Sequence, residues 1–291
     1  MATIAVPNQV SIAADAEALY KACKGWGTDE KAIIQVLGRR NAGQRRLIRF
    51  AYQELYKEDL IRRLEKELTE GSVSLDIGSG RSRCSVSPFG AKEIDRPTPG
   101  AGRNLLHQIL RGALVYKKSL SRSLLIGLAS AIRYEGEEIN KTVAKSEAKL
   151  LHEAIKDKKL NNDEVIRILT TRSKLQLQLI FNLHREEQGT SITKNLPNKS
   201  KDEFLATLRI TVRCLKDPKK YFEKVLRDSM QRLGTDEDAL TRVIVTRAEK
   251  DLKEIKELYY KRNNVRLDEA VDKDTRGDYK DMLLTLLGNE V

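Results

Sequence analysis

A stretch of sequence near the amino terminus returns almost unchanged late in the chain. Gly27–Arg40 aligns with Gly234–Arg247; both begin with Gly-Thr-Asp-Glu and keep their apolar positions in step. A third, partial copy at Val165–Arg172 matches the later part of the last copy. Because recurrence at this scale is the signature of stacked supersecondary units, the chain is predicted to fold as an array of repeats.

Apolar residues recur at helical spacing along most of the chain, and no convincing two-residue alternation is present. The prediction is therefore an all-α fold of helices joined by short connections. The 33% of charged residues fits many solvated helix faces. In the long helix expected after Asn41, the residues predicted to face inward are Leu47, Ile48, Phe50, Ala51 and Leu55.

The formal net charge is +12, which favours a polyanionic partner, either nucleic acid or an anionic membrane. No aromatic residues interleave with the basic ones in the way that stacks on bases, so no specific nucleic acid is expected. Three unpatterned cysteines and the lack of a signal peptide favour a reducing, cytoplasmic location. No apolar run is long enough to span a bilayer.

Residues 71–103 differ in composition from the rest of the chain. They are rich in Gly, Ser, Pro and Arg and have no sustained period. Such a composition buries too little apolar surface to offset the entropy of ordering, so the segment is predicted to be disordered or poorly packed. A genuine insertion, a splice variant and a gene-model error all remain open as its origin.

The loop Lys24–Glu30 places two glycines around Trp26 and then starts a helix, with Thr28 as the predicted N-cap. Glycines allow a loop to turn its carbonyl oxygens towards one point. A hard cation such as Ca²⁺ takes six to eight oxygen ligands, commonly carbonyls, a carboxylate and waters. A carboxylate follows each intact loop at the same distance, forty residues after Gly27 and after Gly234.

Two equivalent calcium sites are therefore predicted, each made of three backbone carbonyls and one carboxylate: Cys23, Gly25, Gly27 and Glu67, then Met230, Arg232, Gly234 and Asp274. The second site is expected to be the weaker one, since Arg232 replaces a glycine. The alternative is that both loops are ordinary helix caps and interhelical turns. The duplicated loop with its duplicated carboxylate favours the metal sites.

The segments KGWGTDE (24–30), QRRLIRFAYQELYKEDL (44–60) and GTDEDALTRVIVTRAEKDLK (234–253) resemble annexins, and plant annexins in particular. The resemblance covers residues 1–70 and about 115–291, and residues of about 71–115 depart from the family pattern. It implies an all-α array of four five-helix repeats in a curved disc, here with repeats one and two incomplete. It also implies calcium-dependent, peripheral binding to acidic phospholipid membranes.

The resemblance assigns each part of the chain to a repeat: 1–70 to a truncated repeat I, 71–104 to the aberrant segment, 105–140 to a remnant of repeat II, 141–215 to repeat III and 216–291 to repeat IV. Repeat III is predicted to lack an intact calcium loop, because Lys158–Asn161 has no glycine. Trp26 and Leu233, at the tips of the two intact loops, are the predicted membrane contacts.

The resemblance also raises three further activities suggested for the family. A peroxidase-like activity is disfavoured because Arg39 stands where some plant annexins carry a histidine. Asp274–Gly277 resembles an element invoked for nucleotide hydrolysis, but no P-loop accompanies it. Ile166–Ile168 matches a tripeptide proposed for F-actin binding, although a core helix requires the same spacing. No enzymatic activity is predicted, with nucleotide hydrolase or peroxidase-like activity as the alternative function.

Overall fold

The computed structural model describes residues 1–4, 6–7, 10–24, 28–70, 120–129, 133–157, 159–160, 162–196, 202–231 and 234–289. All regular structure in these residues is α-helical. The chain divides into two compact units, one formed by residues 1–94 and 222–291 and the other by residues 95–221. The aberrant segment 71–104 and the remnant of repeat II up to residue 119 lie outside the described residues.

The amino-terminal part of the first unit contains four helices: α1 Ile12–Ala22, α2 Glu30–Leu37, α3 Ala42–Tyr56 and α4 Leu60–Glu70. The second unit contains α5 Leu120–Ala129, α6 Lys141–Lys156, α7 Asp163–Thr171, α8 Lys174–Gln188, α9 Ile192–Asn195 and α10 Glu203–Lys216. Helix α11, Pro218–Met230, crosses the division between the units. The first unit then resumes with α12 Glu237–Arg247, α13 Leu252–Asn263, α14 Leu267–Asp274 and α15 Gly277–Leu286.

Local sequence sets the ends of these helices. Asn41 and Gln44 form a reciprocal capping box at the start of α3, and Lys57 ends that helix with a left-handed φ of 54°. At the start of α6, the Asn140 side chain caps the helix by accepting from the Val143 amide. Among the described residues, helices occur where apolar residues recur at helical spacing, as predicted.

The core of the amino-terminal helices forms where α1 packs against α2 and α3. Helix α3 contributes Ile48 and Tyr52, which are fully buried, while Arg45 on the same face is almost fully buried. The predicted inward set was wrong in part, because Leu47, Phe50 and Leu55 are each more than half exposed. Arg45 takes an inner position because its guanidinium pairs with Glu249 at 2.6 Å.

In the second unit, α6 packs against α8, and α5 packs against α7 and α10. The core is dense in aliphatic residues and includes the fully buried Ile168, Leu177 and Phe181. At Gly127 in α5, a Cβ atom would lie 2.7 Å from Thr170 Cγ2. The first unit contains a similar glycine–threonine contact, since a Cβ on Gly38 would lie 2.7 Å from Thr285 Cγ2 in α15. Close approach of the helices therefore requires glycine at both positions.

An arginine ends each of the aligned repeat segments, and each has a different partner. Arg40 makes a two-point ion pair with Asp15, with Nε–Oδ2 and Nη2–Oδ1 distances of 2.7 and 2.9 Å. Arg172 pairs with Glu147, which lies at the position equivalent to Asp15. In the last repeat this position is Phe222, and the Arg247 guanidinium lies 4.6 Å from its ring centroid.

Arg247 also donates to Asp251 in the next turn, with an Nε–Oδ1 distance of 2.7 Å. The arginine is thus present in all three aligned segments, but its partner differs. In two segments the partner is a carboxylate on an earlier helix, and in the last segment the guanidinium contacts an aromatic ring and a carboxylate one turn later. Within the described residues, no helix combines the length and apolar character needed to cross a membrane.

Candidate metal centres

The first loop is closed by a hydrogen bond between its two flanking helices. Helix α1 ends at Ala22, whose carbonyl accepts from the Asp29 amide at 3.0 Å. The Asp29 carboxylate in turn accepts from the Ala32 amide at 3.0 Å and caps α2. Asp29, and not Thr28 as predicted, is therefore the N-cap. Cys23 at the mouth of this loop is buried.

The loop of the last repeat is closed by the same bond at equivalent residues. The Ser229 carbonyl accepts from the Asp236 amide at 2.9 Å, and the Asp236 carboxylate caps α12 through the Ala239 amide at 3.1 Å. Gly234 in this loop has a φ of 89°, which strongly favours glycine. Met230, the last residue of α11, is half-buried where the loop begins.

In the corresponding loop of repeat III, the described bond across the loop has a different spacing. Here the Ala154 carbonyl, equivalent to those of Ala22 and Ser229, accepts from the Lys159 amide at 2.9 Å. The bond spans five residues, compared with seven in the other two loops. Asn162 then caps α7 by accepting from the Glu164 amide at 2.9 Å. Lys158 and Asn161 of this loop lie outside the described residues, and the absence of an intact calcium loop from repeat III stays a prediction.

Glu67 lies beside the first loop, as its spacing predicted. The link between them is Arg63, one turn earlier on α4, which the sequence reading did not identify. Its Nη2 atom lies 2.9 Å from Glu67 Oε1 and donates to the Cys23 carbonyl. The two oxygens predicted as metal ligands therefore converge on one cationic nitrogen. The side chains of Arg63 and Glu67 are 26% and 14% exposed.

Asp274 lies beside the second loop, again in agreement with its spacing. Its Oδ2 accepts from the Thr235 hydroxyl, with an O–O distance of 2.6 Å. The Thr235 hydroxyl also lies 3.1 Å from the Asp274 backbone carbonyl. Because Thr235 directly follows Gly234, this pair of contacts positions the carboxylate against the glycine loop.

The remaining predicted ligands and contacts lie outside the described residues: Gly25, Trp26, Gly27, Arg232 and Leu233. The structure therefore brings together Cys23 with Glu67, and Gly234 with Asp274. The predicted ligand sets stay predictions.

The donor chemistry at both loops fits a hard cation. Carbonyl and carboxylate oxygens are the ligands that Ca²⁺ prefers. Burial raises the pKa of the Cys23 thiol to about 11, and the nearby Glu67 carboxylate adds to this shift. The thiol therefore stays protonated at neutral pH and is a poor ligand for softer metals, which bind thiolates. This leaves the Cys23 carbonyl as the group that faces the site.

The residues considered for other activities have structural partners. Ile166 and Ile168 of the F-actin tripeptide are buried in the core, and Arg167 pairs with Glu164 at 2.7 Å. The spacing of this tripeptide is therefore accounted for by packing. In the segment resembling a nucleotide-hydrolysis element, Asp274 is turned towards the glycine loop and Thr275 is buried.

The fold and the loops together define a class: an all-α protein of helical repeats, two of which pair a glycine loop with a carboxylate from a later helix. The sequence model of the annexin family matches residues 14–72, 146–208 and 221–286. The chain therefore belongs to the annexin family, which confirms the resemblance described above and its all-α repeat fold.

Several relatives and one solved structure support this placement. The chain is 48% identical to annexin-like protein RJ4 of Fragaria ananassa, with 100% of both chains covered. It is 44% identical to annexin D7 of Arabidopsis thaliana, covering 100% of this chain and 99% of the relative. A crystal structure of chicken annexin V in complex with Zn²⁺ matches with a TM-score of 0.75 and 27% identity, over 99% of each chain. Family membership supports calcium-dependent phospholipid binding in general, with calcium binding as a family property.

Proposed function

We propose that this protein binds acidic phospholipid membranes peripherally when two calcium sites are filled. The first site uses the carbonyls of Cys23, Gly25 and Gly27 with Glu67, and the second uses those of Met230, Arg232 and Gly234 with Asp274. The observation that carries the proposal is the convergence of the Cys23 carbonyl and Glu67 on one cationic nitrogen. This convergence supports the proposal, because two oxygens that contact one cation lie close enough together to contact another.

These residues would hold a Ca²⁺ ion that takes six to eight oxygen ligands, and the ligand positions that they leave open would be available to lipid head groups. Residues around the two loops would support this contact between loop and head group. The Ala22–Asp29 and Ser229–Asp236 bonds fix where each loop leaves and re-enters its helices. Glu67 and Asp274 supply the negative charge that offsets the cation.

Trp26 and Leu233 are the proposed membrane contacts. Each stands at the tip of an intact loop by sequence position, and indole is favoured at the head-group level of a bilayer. The net charge of +12 adds a general attraction to an anionic surface, which salt screens. We propose binding without catalysis, because the Asp274 carboxylate, which the nucleotide-hydrolysis hypothesis would also use, contacts the Thr235 hydroxyl beside the glycine loop.

Co-sedimentation with lipid vesicles tests this function. With phosphatidylserine-containing vesicles in saturating Ca²⁺, we expect most of the protein in the pellet and its release by chelator. Vesicles of phosphatidylcholine alone should leave it in the supernatant, because they lack the anionic head groups. The comparison is made at about 150 mM salt so that general electrostatic attraction is screened. Equal pelleting with and without Ca²⁺ would show that basic charge alone mediates binding and would contradict the proposal.

A further inference from the structure

The two carboxylates at the candidate sites have partners of different charge. Glu67 is paired with a guanidinium, whereas Asp274 accepts from a neutral hydroxyl. The residue of the last repeat that is equivalent to Arg63 is Ala270, which carries no charge. Among the described residues, Glu67 is thus paired with an arginine one turn earlier on its own helix, whereas the partner described for Asp274 is a neutral hydroxyl.

The Arg63 guanidinium contacts the same two oxygens that the proposed cation would use. Its Nη2 atom touches both the Cys23 carbonyl and Glu67 Oε1. Hydrogen bonds from a charged guanidinium to a carboxylate and a carbonyl are among the stronger polar contacts, and here both oxygens are largely shielded from water. A metal ion cannot use these two oxygens while the guanidinium lies between them.

We propose that Arg63 is an internal competitor of Ca²⁺ at the first site. It neutralises Glu67 and satisfies the Cys23 carbonyl at low calcium, and it must leave both before calcium binds. This inference rests on the proposed function, since it takes Glu67 as a calcium ligand. At the second site, the described partner that Asp274 must leave is the Thr235 hydroxyl, and breaking that contact separates no charges.

The competition predicts the order in which the two sites bind Ca²⁺. The expectation from sequence was that the second site is the weaker one, because Arg232 replaces a glycine. The cost of displacing Arg63 acts in the opposite direction and falls on the first site alone. We therefore expect the second site to fill at lower Ca²⁺ concentration and the first site to fill in a later step.

Calorimetric titration with calcium chloride tests the competition. The titration uses the full chain carrying Asp274→Asn, so that the first site dominates the signal. Adding Arg63→Gln should tighten Ca²⁺ binding about tenfold, the size of effect expected when one charge-assisted contact no longer has to be broken. The matched control is Arg62→Gln, which removes the same charge from the neighbouring exposed residue and should leave the affinity within about twofold.

Thermal unfolding in chelator provides the second readout. Arg63→Gln should lower the unfolding temperature there, because Glu67 and the Cys23 carbonyl lose their partner, yet it should bind Ca²⁺ more tightly. A purely structural arginine would lower both stability and affinity, and that result would overturn the proposal. If Arg63→Gln does not fold, Arg63→Met, which keeps the apolar stem, is measured in the same way and judged by the same outcomes.

The same titrations separate this inference from the proposed function. Loss of Ca²⁺ binding on Glu67→Gln, together with unchanged affinity on Arg63→Gln, would reject the competition and leave the calcium site standing. If Glu67→Gln leaves Ca²⁺ binding at the first site unchanged, Glu67 is not a ligand, and both the site and the competition are rejected.

Discussion

The double variant Glu67→Gln, Asp274→Asn is expected to lose calcium-dependent binding to phosphatidylserine vesicles. Each substitution keeps the size of the side chain and removes the one negative charge that each site contributes. At an effective dielectric constant near 20, losing a unit charge close to a divalent ion costs several kcal/mol, so the Ca²⁺ concentration for half-maximal sedimentation should rise by roughly a hundredfold or more. Half-maximal sedimentation against free Ca²⁺ is the measurement.

The control for this double variant is Glu153→Gln together with Glu164→Gln. It removes two carboxylates from side chains that are 60% and 50% exposed, and should leave the sedimentation curve in place. The single variants add detail. Asp274→Asn should remove the step at lower Ca²⁺, because it removes the negative charge of the second site. Thr235 can still donate to the amide oxygen, so the loop is not expected to rearrange. Unchanged sedimentation of the double variant would exclude both carboxylates as ligands.

Glu147→Gln is expected to destabilise the second unit by about 3 kcal/mol, the effect of breaking a buried ion pair by removing one partner. The Glu147 side chain is 7% exposed, and Arg172 approaches it at 2.6 Å through Nη2 and at 2.9 Å through Nε. An amide offers one acceptor oxygen where the carboxylate offers two, and it does not balance the charge of Arg172. The free energy of unfolding in urea measures this effect.

Glu153→Gln on the same helix is the matched control for Glu147→Gln. Glu153 is well exposed and lies 3.9 Å from Lys149, so its loss should change the free energy of unfolding by less than about 0.5 kcal/mol. If both variants shift the unfolding curve by the same small amount, the Glu147–Arg172 pair contributes little, and the recurring arginine needs another explanation.

Much of the fold followed from periodicity and caps. The helices occur where apolar residues recur at helical spacing, because burying one helix face is the main source of their stability. The assignment of faces on α3 failed for a definable reason. Its apolar residues surround the helix, and the buried face is set by Ile48 and Tyr52 together with the charged Arg45, whose partner Glu249 is distant in sequence.

The candidate sites could also be predicted only in part, because contacts between residues distant in sequence cannot be read from local spacing. Equal spacing after two glycine loops predicted that Glu67 and Asp274 lie beside them, and the structure places both there. Arg63 could be matched to Glu67 by its one-turn separation, but its contact with the Cys23 carbonyl depends on how α4 packs against the end of α1. Likewise, the contact between the Thr235 hydroxyl and Asp274 was not predicted, because it depends on how the end of α14 packs against the second loop.

The emission of Trp26 tests the central claim most directly, because it is the only tryptophan of the chain and stands in the first loop. With phosphatidylserine vesicles and saturating Ca²⁺, the emission should shift to shorter wavelength, since the indole moves from water to the head-group level. Chelator should reverse the shift, and Glu67→Gln should prevent it. A shift that persists in chelator, or an unchanged emission while the protein sediments with the vesicles, would contradict calcium-dependent docking through this loop.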